Sequence, residues 1–176
     1  MSLSVGQVAP DFTLPSTSGG NFSLSHDAAG QPLILYFYPK DFTPGCTQEA
    51  CDFRDMFAEF RDLDIGVLGI SRDDIPTHLR FQQEHRLPFQ LLSDVDGKVS
   101  AQYQALVPII RVNKRVTYLL DQNHRIAAVY EDFFGAHNHI KAMVTQVKSG
   151  KLAPGKPGDS RISSGRSRPF PKEVSE

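Results

Sequence analysis

The strongest hydrophobic signal in the chain is an unbroken run, Leu33 to Tyr38, set between Pro32 and Pro39. A run with no polar alternation reads as a strand buried on both faces, in the middle of a sheet. From Pro44 to about Arg61 the spacing becomes helical, with Ala50, Phe53, Phe57 and Phe60 on one stripe, and Ile65–Ile70 is again a continuous apolar strand. Strand, helix, strand is a β-α-β unit, so the two strands are expected to run parallel. Asp73 or Asp74 can cap a helix that continues to about His85, Pro88–Leu92 reads as a short extended piece, and Gly97–Tyr103 as a brief helix or turn. Arg115–Leu120 and Ile126–Tyr130 flank the turn-like "DQNH" and predict an antiparallel hairpin. A last helix, Ala136 to Ser149, carries Ile140, Met143, Val144 and Val147 at helical spacing and stops at Gly150. Phe12–Leu14 and Phe22–Leu24, separated by Gly19-Gly20, make a second small hairpin. The sum is an α/β fold, a mixed central sheet flanked by helices on both faces.

Composition changes this picture at one place. From Lys151 to Glu176 the chain is rich in Pro, Gly, Ser and Arg and has no apolar periodicity, so residues 1–150 form the domain and 151–176 a flexible basic tail. The tail has six basic and three acidic residues, or +3, which leaves −4 on residues 1–150 of a chain whose net charge is −1. No broad basic surface is left for nucleic acid or for an anionic membrane, and no apolar run has the ~18 residues of a membrane span. A cytoplasmic monomer is the expectation; a transit peptide already removed would leave no trace, so the sequence does not exclude an organelle.

The chain has only two cysteines, Cys46 and Cys51, and both lie just past the central strand. Thr43 before Pro44 has the form of an N-cap followed by proline at the first helical position, which puts Gly45 second and Cys46 third. The third position faces free backbone N–H groups and the positive end of the helix dipole, surroundings that favour a thiolate over a thiol. The bland alternative is a small buried hydrophobe, because Cys46 also falls on the stripe of Ala50, Phe53 and Phe57. Five residues along a helix separate the two thiols by about 7.5 Å of rise and about 140° of rotation, while a disulfide needs Cα atoms within about 7 Å and facing Cβ vectors. Either the two never bond, or bonding requires the first helical turns to unwind. Zinc binding is disfavoured by the spacing and by the lack of two further ligands nearby.

The segment "YPKDFTPGCTQEACDFRD", Tyr38 to Asp55, resembles the active-site segment of the peroxiredoxins, thiol peroxidases of thioredoxin-like fold, and within them the bacterioferritin comigratory protein or peroxiredoxin Q subgroup. Its Pro-x-x-x-Thr-x-x-Cys form is filled by Pro39, Thr43 and Cys46, with the subgroup's second cysteine at Cys51. The likeness extends over most of residues 5–150, through "GISRDDIPTHLRFQQEHRLPFQLLSDVDGKV" and "RVTYLLDQNHRI". It implies Cys46 as the peroxidatic cysteine, Cys51 as the resolving cysteine and Arg115 as the active-site arginine, with Arg111 the competing arginine in the insertion-like "ALVPIIRVNK". Thr43, the backbone N–H groups of Gly45 and Cys46, and Arg115 would stabilise charge on the departing oxygen, with Pro39 and Gly45 lining the peroxide site. The implied reaction reduces hydrogen peroxide or an organic hydroperoxide, passes through Cys46 sulfenic acid and a Cys46–Cys51 disulfide, and is recycled by thioredoxin or glutaredoxin. No cofactor and no metal is required.

Other motifs have simpler explanations. His137 and His139 in "HNH" open a helix without acidic or thiol companions and read as solvated, and "DVDG", Asp94–Gly97, is a turn whose glycine comes too early for a calcium loop. The same thiol pair would also suit a peroxide-sensing switch or an oxidation-triggered binding protein. Repeated turnover with a dithiol separates the two functions, since a sensor reacts once per chain.

Overall fold

The computed structural model describes residues 1–131 and 136–148; the basic tail and, in the last helix, the side chains of His137 and His139 lie outside the described residues. The central sheet has five strands, in the order β5 (Gln90–Ser93), β4 (Gly66–Ser71), β3 (Leu33–Phe37), β8 (Val116–Leu120) and β9 (Ile126–Glu131). Strand β3 (Leu33–Phe37) is in the middle, buried at every position as its unbroken apolar run requires. It pairs in parallel with β4 (Gly66–Ser71), Leu33 against Gly66 and Phe37 against Ile70, and β4 in turn with β5 (Gln90–Ser93). On its other side β3 pairs antiparallel with β8 (Val116–Leu120), whose hairpin partner β9 (Ile126–Glu131) forms the edge. The hairpin closes at Asp121, whose carboxylate accepts from the backbone of Asn123 and Arg125.

Two cores lie on the two faces of this sheet, and alternation along β3 assigns its residues between them. Leu33, Leu35 and Phe37 join Leu68, Ile70, Tyr118 and Leu120 beneath the N-terminal hairpin, β1 (Thr13–Pro15) and β2 (Asn21–Ser23), and the short helices α1 (Leu24–Asp27) and α4 (Lys98–Gln102). Ile34, Tyr36 and Tyr38 face the other way, against α2 (Pro44–Asp62), α3 (Ile75–Glu84) and α5 (Ala136–Lys148). The α2 stripe is where the spacing put it: Cys46, Ala50, Phe53 and Phe60 are buried and Phe57 is partly so. Tyr36 stacks on Phe53 with ring centroids 4.5 Å apart and on Tyr38 at 5.3 Å. Gly69 on β4 makes room for these rings, because a Cβ there would come within 2.7 Å of the Tyr36 ring.

One local reading changes and two are completed. Leu24 starts α1 and does not extend the second strand of the N-terminal hairpin. The insertion-like segment folds into a hairpin of two-residue strands, β6 (Leu106–Val107) and β7 (Val112–Asn113), too short for alternation to reveal. Of the two candidate caps, Asp74 caps α3 through Thr77 N at 2.9 Å, while Asp73 accepts from the backbone N–H of Asp41 and the hydroxyl of Ser71. "DVDG" is a turn, closed by Gly97 N donating to Asp94 O, with Gly97 in the left-handed region at φ 74°. Among the described residues no helix is long and apolar enough to cross a membrane.

Candidate active site

The site forms at the end of β3 because of strand register. Val116 pairs antiparallel with Phe37, so Arg115, one residue earlier, emerges level with the point at which the chain leaves the sheet for α2. The parallel strands also end here, the edge at which open α/β sheets present ligand sites. The loop from Pro39 to Thr43 turns the chain, with Phe42 at φ 62°, and Pro44 begins the helix.

Thr43 occupies the N-cap position with extended backbone, but its hydroxyl does not cap the helix. This corrects the sequence reading: Oγ1 donates to Lys40 O at 2.8 Å and braces the loop. The first helical bond is Thr47 N to Thr43 O, so the first-turn amides of α2 have no side-chain acceptor at the N-cap. Cys46, at the third helical position, is buried, 2% exposed, and its Sγ receives a hydrogen bond from Arg115 Nη2 at 3.4 Å. A guanidinium donor and the positive end of a nineteen-residue helix both face the sulfur there. Gly45 is in the same contact: its carbonyl accepts from Arg115 Nη1 at 3.5 Å, and a Cβ at this position would lie 3.1 Å from Nη2. Any larger residue would push the guanidinium away from the sulfur.

Arg111, the competing arginine, is directed elsewhere; its guanidinium donates to Asp96 O at 2.7 Å. Cys51 lies further along the same uninterrupted helix, partly exposed, and both thiols are free. Pro39, partly buried, starts the loop ahead of Thr43.

Sequence reasoning missed Glu49. Its Oε2 pairs with Arg115 Nη1 at 3.0 Å and the carboxylate is 3% exposed. Burial pushes its pKa up to about 7, against the opposing pull of Arg115. Arg115 is affected in reverse: burial pulls its pKa down, and Glu49 and Cys46 together more than compensate, so the guanidinium remains charged. One cation is thus shared by two acidic groups. The signal that could have found Glu49 is its place three residues after Cys46, on the same helix face. Glu49 Oε1 and the Tyr36 hydroxyl are buried without partners on this side of the sheet, and after burial the Glu49 charge is the largest influence on the Tyr36 hydroxyl.

Residues 5–129 match the AhpC/TSA family model. A Coxiella burnetii protein called peroxiredoxin bcp is 48% identical over 136 residues, 74% of this chain and 89% of that protein. The chloroplastic peroxiredoxin Q of Gentiana triflora is 40% identical over 139 residues, and the match covers 78% of this chain and 64% of that protein's length. Among solved structures, peroxidoxin BcpB of Mycobacterium tuberculosis superposes with a TM-score of 0.77 at 32% identity, covering 82% of this chain and 96% of the other. Xanthomonas campestris peroxiredoxin Q gives 0.72 at 28% identity over 80% and 91%. These superpositions make the fold the thioredoxin-like one of the peroxiredoxins. With a family model spanning residues 5–129 and relatives 48% and 40% identical, the chain belongs to the AhpC/TSA family, among the peroxiredoxins of the bcp and Q type.

Proposed function

We propose that the chain is a dithiol-recycled peroxidase in which Cys46 attacks the peroxide and Cys51 resolves the product. The observation that carries this reading is the buried Cys46 sulfur in the first turn of α2, 3.4 Å from the Arg115 guanidinium. The Cys46 thiolate attacks the terminal peroxide oxygen, the O–O bond breaks, and the alkoxide or hydroxide that leaves takes up a proton. Arg115 and the free amides of the first turn meet the charge that develops on that oxygen. The sulfenic acid then condenses with the Cys51 thiol, releasing water and forming a disulfide, after α2 unwinds at its start. An external dithiol, thioredoxin or glutaredoxin, reduces the disulfide by exchange.

Organic hydroperoxides fit beside hydrogen peroxide, because a Xanthomonas campestris bacterioferritin comigratory protein of the same fold, 27% identical, has been solved in trapped intermediate and ligand complexes bearing on alkyl peroxide reduction. The working state is a cytoplasmic monomer. A peroxide-consumption assay with thioredoxin and its reductase tests the proposal: many equivalents consumed per chain support it. A single equivalent, with the oxidised form persisting, would make the protein a peroxide sensor.

A further inference from the structure

Behind the peroxide loop lies a second buried polar cluster that the chemistry above does not use. Asp41, 2% exposed, sits in the middle of that loop and is held at three points. Its Oδ1 accepts from the Tyr38 hydroxyl at 2.6 Å, its Oδ2 lies 2.6 Å from Nδ1 of His78 on α3, and its backbone N–H donates to Asp73 Oδ2 at 2.9 Å. His78 is fully buried and its Nε2 is 3.0 Å from Leu92 O on β5.

The proton count follows from the partners. A backbone carbonyl only accepts, so Nε2 carries an N–H. An ionised carboxylate also only accepts, and a bare Nδ1 facing it at 2.6 Å would set two lone pairs against each other. One proton therefore lies between Nδ1 and Oδ2, and the pair is neutral as a whole whichever atom holds it. The same contact leaves no room for a cation, although Asp41, Asp73 and His78 offer atoms within 4.8 Å of one another. Burial keeps the Tyr38 hydroxyl protonated far into the alkaline range, so it stays a donor to Asp41.

The position of the cluster gives it a task. Phe42, the next residue, holds a left-handed φ of 62°, a conformation that a bulky side chain keeps only where its neighbours fix it. Its ring packs edge-on against Phe81 of α3 at 5.2 Å, and Thr43 then opens the helix that carries Cys46. We propose that Asp41 and His78 are positioning residues, a proton-loaded clamp that fixes the Pro39–Thr43 loop and through it aims Cys46 at the peroxide. This inference rests on the peroxidase reading of Cys46. Removing the shared proton would leave the carboxylate against a bare nitrogen and loosen the loop. The ionisable groups facing the pair are Tyr36 on β3 and Tyr38 just past its end, Asp73 after β4, and Asp74 at the start of α3.

Two measurements test the clamp. In the reduced, full-length protein, proton NMR should show one strongly deshielded, exchange-protected resonance linked to the His78 ring, lost in Asp41→Asn. The absence at neutral pH of any exchange-protected proton between His78 Nδ1 and Asp41 Oδ2 overturns the proposal, whether or not Cys46 proves to be peroxidatic. The second is the pH profile of Cys46 oxidation by hydrogen peroxide in rapid mixing. The wild-type rate should fall on an alkaline limb that Glu49→Gln leaves in place. Asp41→Asn can satisfy Tyr38 and donate to His78 Nδ1 without the extra proton, so its limb should disappear. His78→Phe breaks the clamp and should slow oxidation by about 100-fold at neutral pH, the scale of an ångström of misplacement. An alkaline fall of equal size in Asp41→Asn, or none in the wild type, overturns the clamp.

Discussion

Glu49 and Asp94 are carboxylates buried almost equally, 3% and 1% exposed, and their surroundings are opposite. Asp94 has a partner for each oxygen: Val99 N donates to Oδ1, and both the backbone and the hydroxyl of Ser100 donate to Oδ2. Its charge is spent on closing the turn into α4. Among the described residues Glu49 has one hydrogen-bonding partner, Arg115, which is also engaged with Cys46, and its second oxygen has none. A buried acid surrounded by donors holds structure together, while one that competes for a single cation is held near its titration point. The difference marks the β3–α2 junction as the place where charge is kept available for chemistry.

The sharpest way to break this contrast is to remove the group that Arg115 serves. Cys46→Ser should abolish peroxide consumption while circular dichroism and melting remain those of the wild type; a folded variant with most of its turnover would remove Cys46 from the mechanism. Asp94→Ala should act only on stability. It strands two backbone N–H groups and a hydroxyl, at a cost of about 4 kcal/mol read by denaturant unfolding, with the Cys46 oxidation rate unchanged.

Arg115→Ala should slow Cys46 oxidation by about 100-fold, the loss expected for one well-placed donor to the developing charge. Arg111→Ala, which breaks only a bond to the Asp96 carbonyl, should change the rate little, and the opposite ranking would transfer the role. The smallest effect belongs to Glu49→Gln and is a slope. Because its folded pKa is raised, Glu49 binds more protons in the native state than in the unfolded one between the ordinary glutamate range and about 7. Wild-type stability should therefore decline as pH rises through that window, by about 2 kcal/mol, and Glu49→Gln should lack that decline in unfolding experiments at about pH 5 and about pH 8. A wild type that gains stability across the window would show that Arg115 outweighs burial.

Much of this arrangement was visible in the sequence because it is local. The unbroken run at Leu33 and the proline after Thr43 fix a buried strand and a helix start, and together they place Cys46 in the first turn. Unbroken apolar runs located β3 and β4, helical spacing after Pro44 located α2, and an aspartate cap located α3, each to within a residue or two. What escaped depends on contacts across the chain. Glu49 looks like any helical surface residue until Arg115, 66 positions on, folds over it. Asp41 and His78 are 37 residues apart and meet only because α3 packs beside the peroxide loop. The Thr43 hydroxyl failed differently: a cap would use its oxygen as an acceptor for a first-turn N–H, whereas beside the tight turn at Phe42 its O–H donates back to the Lys40 carbonyl.

In the proposed mechanism Cys46 and Cys51, held apart on one unbroken helix, are brought into a bond by peroxide. Peptide mass spectrometry of the reduced protein treated with one equivalent of hydrogen peroxide tests it most directly. The expected product is an intramolecular Cys46–Cys51 disulfide in most chains, with raised hydrogen exchange over residues 44–54 and unchanged protection in β3 and β4. Sulfenic acid persisting on Cys46, or dimers joined through it with Cys51 still free, would contradict the account and leave a peroxidase that works with one cysteine.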